Sequence, residues 1–177
     1  LAQWMFAKCK SLETIDLTGW DISSLTKCVG MFENCTNLIS VNISGWNTSN
    51  SIDLSNMFSE CSKLTHINTN GTSFPNISNM SNIFTNCKCL TSLELSGFGV
   101  ANVKWFVNSF YGCSALKTII FGSNWDTKSA TYVVSMFAEC SSLSNLDVSN
   151  WNVSNVGNMA FMFYGCSSLK EIDVSNW

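Results

Sequence analysis

Nine cysteines offer the most chemistry in this chain, and their spacing decides what that chemistry is. Seven of them, Cys9, Cys35, Cys61, Cys87, Cys113, Cys140 and Cys166, recur at steps of 26, 26, 26, 26, 27 and 26 residues. Such a period brings equivalent residues into register on stacked units, about 4.8 Å apart with parallel Cβ vectors. A disulfide wants Cβ atoms about 3.8 Å apart and converging. The spacing therefore predicts a ladder of reduced, buried thiols. Cys28 stands where other units carry Leu54, Met80 and Met159, and reads as a core substitution. Cys89 takes a Ser position (compare Ser11 and Ser142) and reads as a partly exposed thiol. Cys87 and Cys89 lack the two-residue gap and the second ligand pair of a zinc site.

The other reactive groups are sparse. His66 is the single His, and no nucleophile stands beside it with an orienting acid, so no hydrolytic triad can be built. Asp147 and Asp173 fall on adjacent units with Glu171 beside them. Three carboxylates could gather Ca²⁺, or form a solvated acidic edge, and the solvated edge is the expected reading. No catalytic, metal or cofactor site is expected, and the chain reads as non-enzymatic. All nine basic residues are Lys and the net charge is −3. Nucleic acid binding draws on clustered Lys and Arg, so it is not expected either. No run approaches the length of apolar residues that spans a bilayer. Sequons at Asn42, Asn47, Asn70, Asn76 and Asn152 arise readily in a chain with 21 Asn and do not establish glycosylation.

The elements that must position these groups repeat with the cysteines. Three residues before each Cys stands Phe6, Phe32, Phe58, Phe84, Phe110, Phe137 or Phe163, and three after it stands Leu12, Leu38, Leu64, Leu90, Leu116, Leu143 or Leu169. From each Leu the pattern L-x-x-I-x-L follows, as in Leu38, Val41 and Ile43, and its last part alternates at the period of a strand. Such segments are too short to stand alone, but stacked in parallel they make a sheet between units. The residue before the aromatic that follows is always Gly or Asn: Gly19, Gly45, Gly71, Gly97, Asn124, Asn150 or Asn176. These two tolerate positive φ, which predicts a left-handed corner there. Trp20, Trp46, Phe98, Trp125, Trp151 and Trp177 come next; such a column could be a sugar-stacking surface, and the expected reading is corner fillers whose indole N–H meets a backbone carbonyl. The third unit has Thr72 instead, with Phe74 compensating. Apolar residues then recur every third position (Phe74, Ile77, Met80, Ile83), which suits short 3₁₀ turns or an extended segment, with one helical turn at M-F-x-x-C. One inserted residue in the fifth unit lies between Phe121 and Trp125.

The unit C-S-S-L-x-x-I/L-D-V-S-N-W-N-V-S-N-V-x-N-M-x-x-M-F, clean from Cys140 to Phe163, resembles the BspA-like leucine-rich repeat, in the branch found in mycoplasma-type lipoproteins and other bacterial surface proteins. The likeness covers essentially the whole chain. It departs from the commoner repeat in placing Trp where an Asn ladder is usual. The resemblance implies a curved solenoid on a cell surface, tied to adhesion, and carries no catalytic residues.

The expected fold is a leucine-rich-repeat solenoid of the α/β horseshoe class, rich in β, with a parallel sheet on one face and short turns and extended segments on the other. Residues 1–177 read as one array of about seven 26-residue units, cut from a longer chain whose missing flanks would hold any secretion signal or anchor. Outward positions of the strands hold the candidate partner-binding residues: Asn42, His66, Asn68, Glu94, Asn145, Asp147, Glu171 and Asp173. The expected function is adhesion or protein interaction at a cell surface, or in a secreted molecule, through that face. The partner would be a protein or glycan on a host or neighbouring cell, or copies of the chain itself. The alternative is a structural subunit of an extracellular filament or surface layer.

Overall fold

The computed structural model describes residues 1–177 and is β-rich, with no helix. Seven short strands are present: β1 Thr14–Asp16, β2 Ser40–Asn42, β3 Ile52–Asp53, β4 His66–Asn68, β5 Ile77–Asn79, β6 Ser92–Glu94 and β7 Thr118–Ile120. All pairings are parallel, and the sheets are β1-β2-β4, β3-β5 and β6-β7. Ile15 pairs with Val41 and Val41 with Ile67, so the strand register is the sequence period. Alternation turns Val41 and Leu93 inward and leaves His66, Ser92 and Glu94 exposed.

Two ladders run between units, one along the strands and one opposite, along M-F-x-x-C. On the turn side every second N–H donates to the next unit: Gly30 to Ser55 O, Phe32 to Met57 O and Asn34 to Ser59 O, at 2.8–2.9 Å. The same three bonds recur at every interface, down to Ser135–Ala160, Phe137–Met162 and Glu139–Tyr164. Inside this ladder the phenylalanines stack face to face from Phe6 to Phe163, with centroids 5.1–5.8 Å apart.

The backbone of this segment departs from the sequence expectation. Left-handed residues stand two before each Phe (Trp4, Gly30, Asn56, Asn82, Asn108, Ser135, Phe161) and one before each Cys (Lys8, Asn34, Glu60, Asn86, Gly112, Glu139, Gly165). Cys28–Met31 and Phe32–Cys35 close bonded turns whose third residue is left-handed. A left-handed residue at such short intervals stops a 3₁₀ or α turn from propagating, which is why neither forms. The predicted left-handed corner before the Trp column holds only at Gly19, Gly45 and Gly71. Gly97 is required for another reason: a Cβ there would collide with the Thr72 carbonyl oxygen.

The thiol ladder forms as the spacing demands. All nine cysteines are free, and Cys28, Cys35, Cys61, Cys87, Cys113 and Cys140 are buried. Each Sγ from Cys35 to Cys166 donates to the carbonyl of the Phe in the preceding unit, at 3.0–3.1 Å. Cys9 is exposed and Cys166 half-buried, contrary to the expected burial of all seven. Burial pushes the Cys61 and Cys113 thiols up to about 12 and Cys87 well above the ordinary range.

The strand ladder is not continuous. It joins units one, two and three, then β6 to β7 in units four and five. No strand forms at Asn145–Asp147 or Glu171–Asp173, and β3 and β5 are second strands in the second and third units, so the expectation of one strand per unit fails in these four. The break between β4 and β6 lies beside Thr72, the residue that replaces Trp. The break after β7 lies beside the insertion between Phe121 and Trp125. Nothing in the structure explains the gap between the last two units.

Candidate functional site

The strand face holds all eight candidate residues, and their surroundings follow from the ladder and its gaps. Asn42 and Asn68 pair in register within β1-β2-β4, and His66, exposed, pairs with Ser40. Glu94 lines a wholly polar cleft of about 480 Å³ at the first gap, with Thr69, Asn70 and Ser96. Asn145, Asp147, Glu171 and Asp173 line one cleft of about 380 Å³ between the last two units. The structure therefore brings four of the eight together and spreads the other four along the sheet.

Five of the eight also do work within the chain. Asn42, Asn68, Glu94, Asp147 and Asp173 each accept the N–H two residues ahead, that of Ser44, Asn70, Ser96, Ser149 and Ser175, at 2.8–3.1 Å. Asp16 does the same for Thr18 at 2.9 Å. This local bond ends the strand and turns the chain toward the corner. The hydroxyl and N–H of Ser149 hold the Asp147 carboxyl below the usual carboxylate range, and those of Ser175 do so for Asp173. His66, Asn145 and Glu171 are exposed side chains outside this pattern.

Ile120 takes the place of the capping residue in the fifth unit and stays 56 % exposed. It lies on a cleft of about 300 Å³ at the second gap, with Ile119, Phe121, Gly122, Trp125, Asp147, Asn150 and Trp151. The Trp column is otherwise buried in mid-chain, and Trp46 Nε1 donates to Leu17 O at 3.0 Å. The equivalent acceptor for Trp125 is Leu95 O, but the insertion changes the corner and Trp125 Nε1 is buried with no partner. Sequence reasoning missed this cleft, although both of its marks were visible: the extra residue, and an Ile in a column of Asp, Asn and Glu. An Asn ladder was also missed, because it lies away from the Trp slot. Asn50, Asn76 and Asn155 donate to Ser23 O, Ser49 O and Lys128 O at 2.8–3.0 Å.

No three His, Cys, Asp or Glu side chains are grouped to hold a metal ion, and no helix is long and apolar enough to cross a membrane. Fold and site together define a β-rich, helix-free repeat protein of units stacked in parallel register. The chain belongs to the family described as Mycoplasma protein of unknown function, DUF285, which matches residues 2–120 and again 78–177. No curated protein and no solved structure matches the chain.

Proposed function

We propose that this chain is a non-catalytic module of the leucine-rich-repeat solenoid kind, exposed at a cell surface or secreted, which adheres to a macromolecule on a host or neighbouring cell through its strand face. The observation that carries this reading is the contrast between the two sides of each unit. The turn side is filled at every interface by stacked Phe and bonded thiols. The strand face carries varied polar side chains and opens clefts at its gaps. Repeat arrays commonly bind along such an extended, variable face.

The test is binding of the fluorescently labelled chain to intact epithelial cells by flow cytometry. Asn145→Ala with Glu171→Ala removes exposed groups that cap nothing, so binding falls while the melting temperature holds. Lys88→Ala, on the turn side, leaves binding unchanged. Undiminished binding by the double variant would overturn the face assignment, and ordered fibres of the chain in electron micrographs would overturn adhesion in favour of a filament subunit.

A further inference from the structure

We infer that the cleft between the fifth and sixth units binds a pyranose ring of a glycan, which names the ligand class for the strand-face reading above and rests on it.

The cleft is a local construction and not a general property of the repeat. Two departures create it: the residue inserted between Phe121 and Trp125, and Ile120 in the capping column. Four exposed large apolar residues lie in inner units, Ile39, Trp105, Ile120 and Tyr132, and of these Ile120 alone lines a cleft. Ile120 has a unit on either side, yet its side chain is left open at the mouth of an aromatic cleft.

Three rings gather here. Phe121 and Trp125 have centroids 4.5 Å apart, Phe121 and Trp151 5.4 Å, and Trp125 and Trp151 6.4 Å. Phe121 is half-buried, while Trp125 and Trp151 are buried. An apolar C–H face of a sugar ring has a surface to lie on against Phe121 and Ile120.

The polar groups select among ligands. Trp125 Nε1 is the one buried side-chain nitrogen or oxygen without a partner, and Trp125 is one of the residues around this cleft. It can only donate. Asp147 can only accept, and its Oδ1 already serves Ser149. Asn150, exposed on the rim, can do both. An ammonium or guanidinium would suit Asp147 and give Trp125 nothing, because it has no acceptor. A hydroxyl donates to one and accepts from the other, and a pyranose carries several around one apolar ring. The cleft of about 300 Å³ lies at the small end of ligand sites, the scale of one ring. Asp147 also lines the neighbouring cleft with Asn145, Glu171 and Asp173, where a second sugar residue would find further acceptors.

The probes are the methyl glycosides of mannose, galactose and N-acetylglucosamine, each taken to about 50 mM against the ¹⁵N-labelled chain. The readout is the Trp125 indole N–H resonance, assigned through Trp125→Phe. The expected result is a saturable shift of that resonance by at least one glycoside, with Kd on the order of 1 mM. Asn150→Ala should weaken that Kd roughly tenfold with the melting temperature unchanged. A resonance that none of the three moves overturns the inference. So does one that a lysine-containing tetrapeptide moves while the glycosides do not, which would make the cleft a site for a basic protein partner. Cell binding that survives Asn150→Ala but still falls with Asn145→Ala and Glu171→Ala would remove the saccharide and keep the strand face.

Discussion

The turn side and the strand face are built from the same units, yet one is continuous and the other is broken. At least four backbone hydrogen bonds cross every interface on the turn side. On the strand face the pairing stops after β4 and again after β7. The turn side is over-determined: the Phe stack, the thiol-to-carbonyl bond and a pair of left-handed residues all demand the same spacing. The strand face rests on three-residue strands and on a corner filled by one aromatic. Where that filler becomes Thr72, or gains a residue before Trp125, strand pairing stops on this side, and it stops also between the last two units, where neither change occurs. Regularity on one side therefore lets the other vary and open without loss of the stack, as expected when stability comes from nearest neighbours.

The largest test of this contrast is a pair of truncations. Phe84→Ala removes a ring stacked on both sides by Phe58 and Phe110 and should cost about 4 kcal/mol. Ile119→Ala, at the second gap, is only half-buried and should cost about 2 kcal/mol or less. Guanidinium unfolding measures both, and equal losses would erase the distinction between the sides.

Thiol reactivity sharpens the contrast next. Cys9 and Cys89 are exposed, whereas burial holds Cys61 and Cys113 at about 12. A native-state disulfide reagent at pH 8 should modify Cys9 and Cys89 at least about a hundredfold faster than the buried thiols. Fast modification of Cys87 in the folded chain would mean that the turn side opens locally.

A smaller effect comes from the backbone. Ser135 holds φ 53° in the column where the four units before it carry Gly30, Asn56, Asn82 and Asn108. Ser135→Gly should stabilise the chain by about 1 kcal/mol, because glycine relieves the left-handed strain at some entropic cost. No gain in the unfolding midpoint would show that the surrounding turn already accommodates serine.

The smallest effect belongs to the strand face. Asp16, Asp147 and Asp173 have carboxyls held below their ordinary value, first by the side-chain hydroxyls and then by the N–H groups they cap. A folded-state value below the unfolded one means that this contribution is present above the unfolded carboxylate range and is lost as pH falls through the folded values. The chain should therefore lose a little stability on acidification below about pH 4, and Asp147→Asn should flatten part of that slope. A melting temperature that rises on acidification would contradict the capping role.

The strands β3 and β5 were not legible in the sequence, and those expected at Asn145–Asp147 and Glu171–Asp173 do not form. The cysteine ladder, the Phe and Leu columns, the other five strands and the site of the insertion were legible. Each is a matter of period and polarity, which stacking in register converts directly into place. The left-handed residues were not legible. Their columns hold Trp4, Lys8, Glu60, Glu139 and Phe161 as well as Asn and Gly, so residue type does not mark them. They are imposed by two bonded turns flanking each Phe and by the ladder to the next unit. The site divides in the same way. Alternation along L-x-x-I-x-L was enough to turn Asn42, His66, Asn68 and Glu94 to the strand face. That Asn145, Asp147, Glu171 and Asp173 share a cleft, and that Trp125 is left with an unbonded N–H beside another, was decided only by the folded stack. A sequence states what each unit would do alone in the pattern. Whether two neighbouring units stay paired or part depends on how both corners fill the space between them.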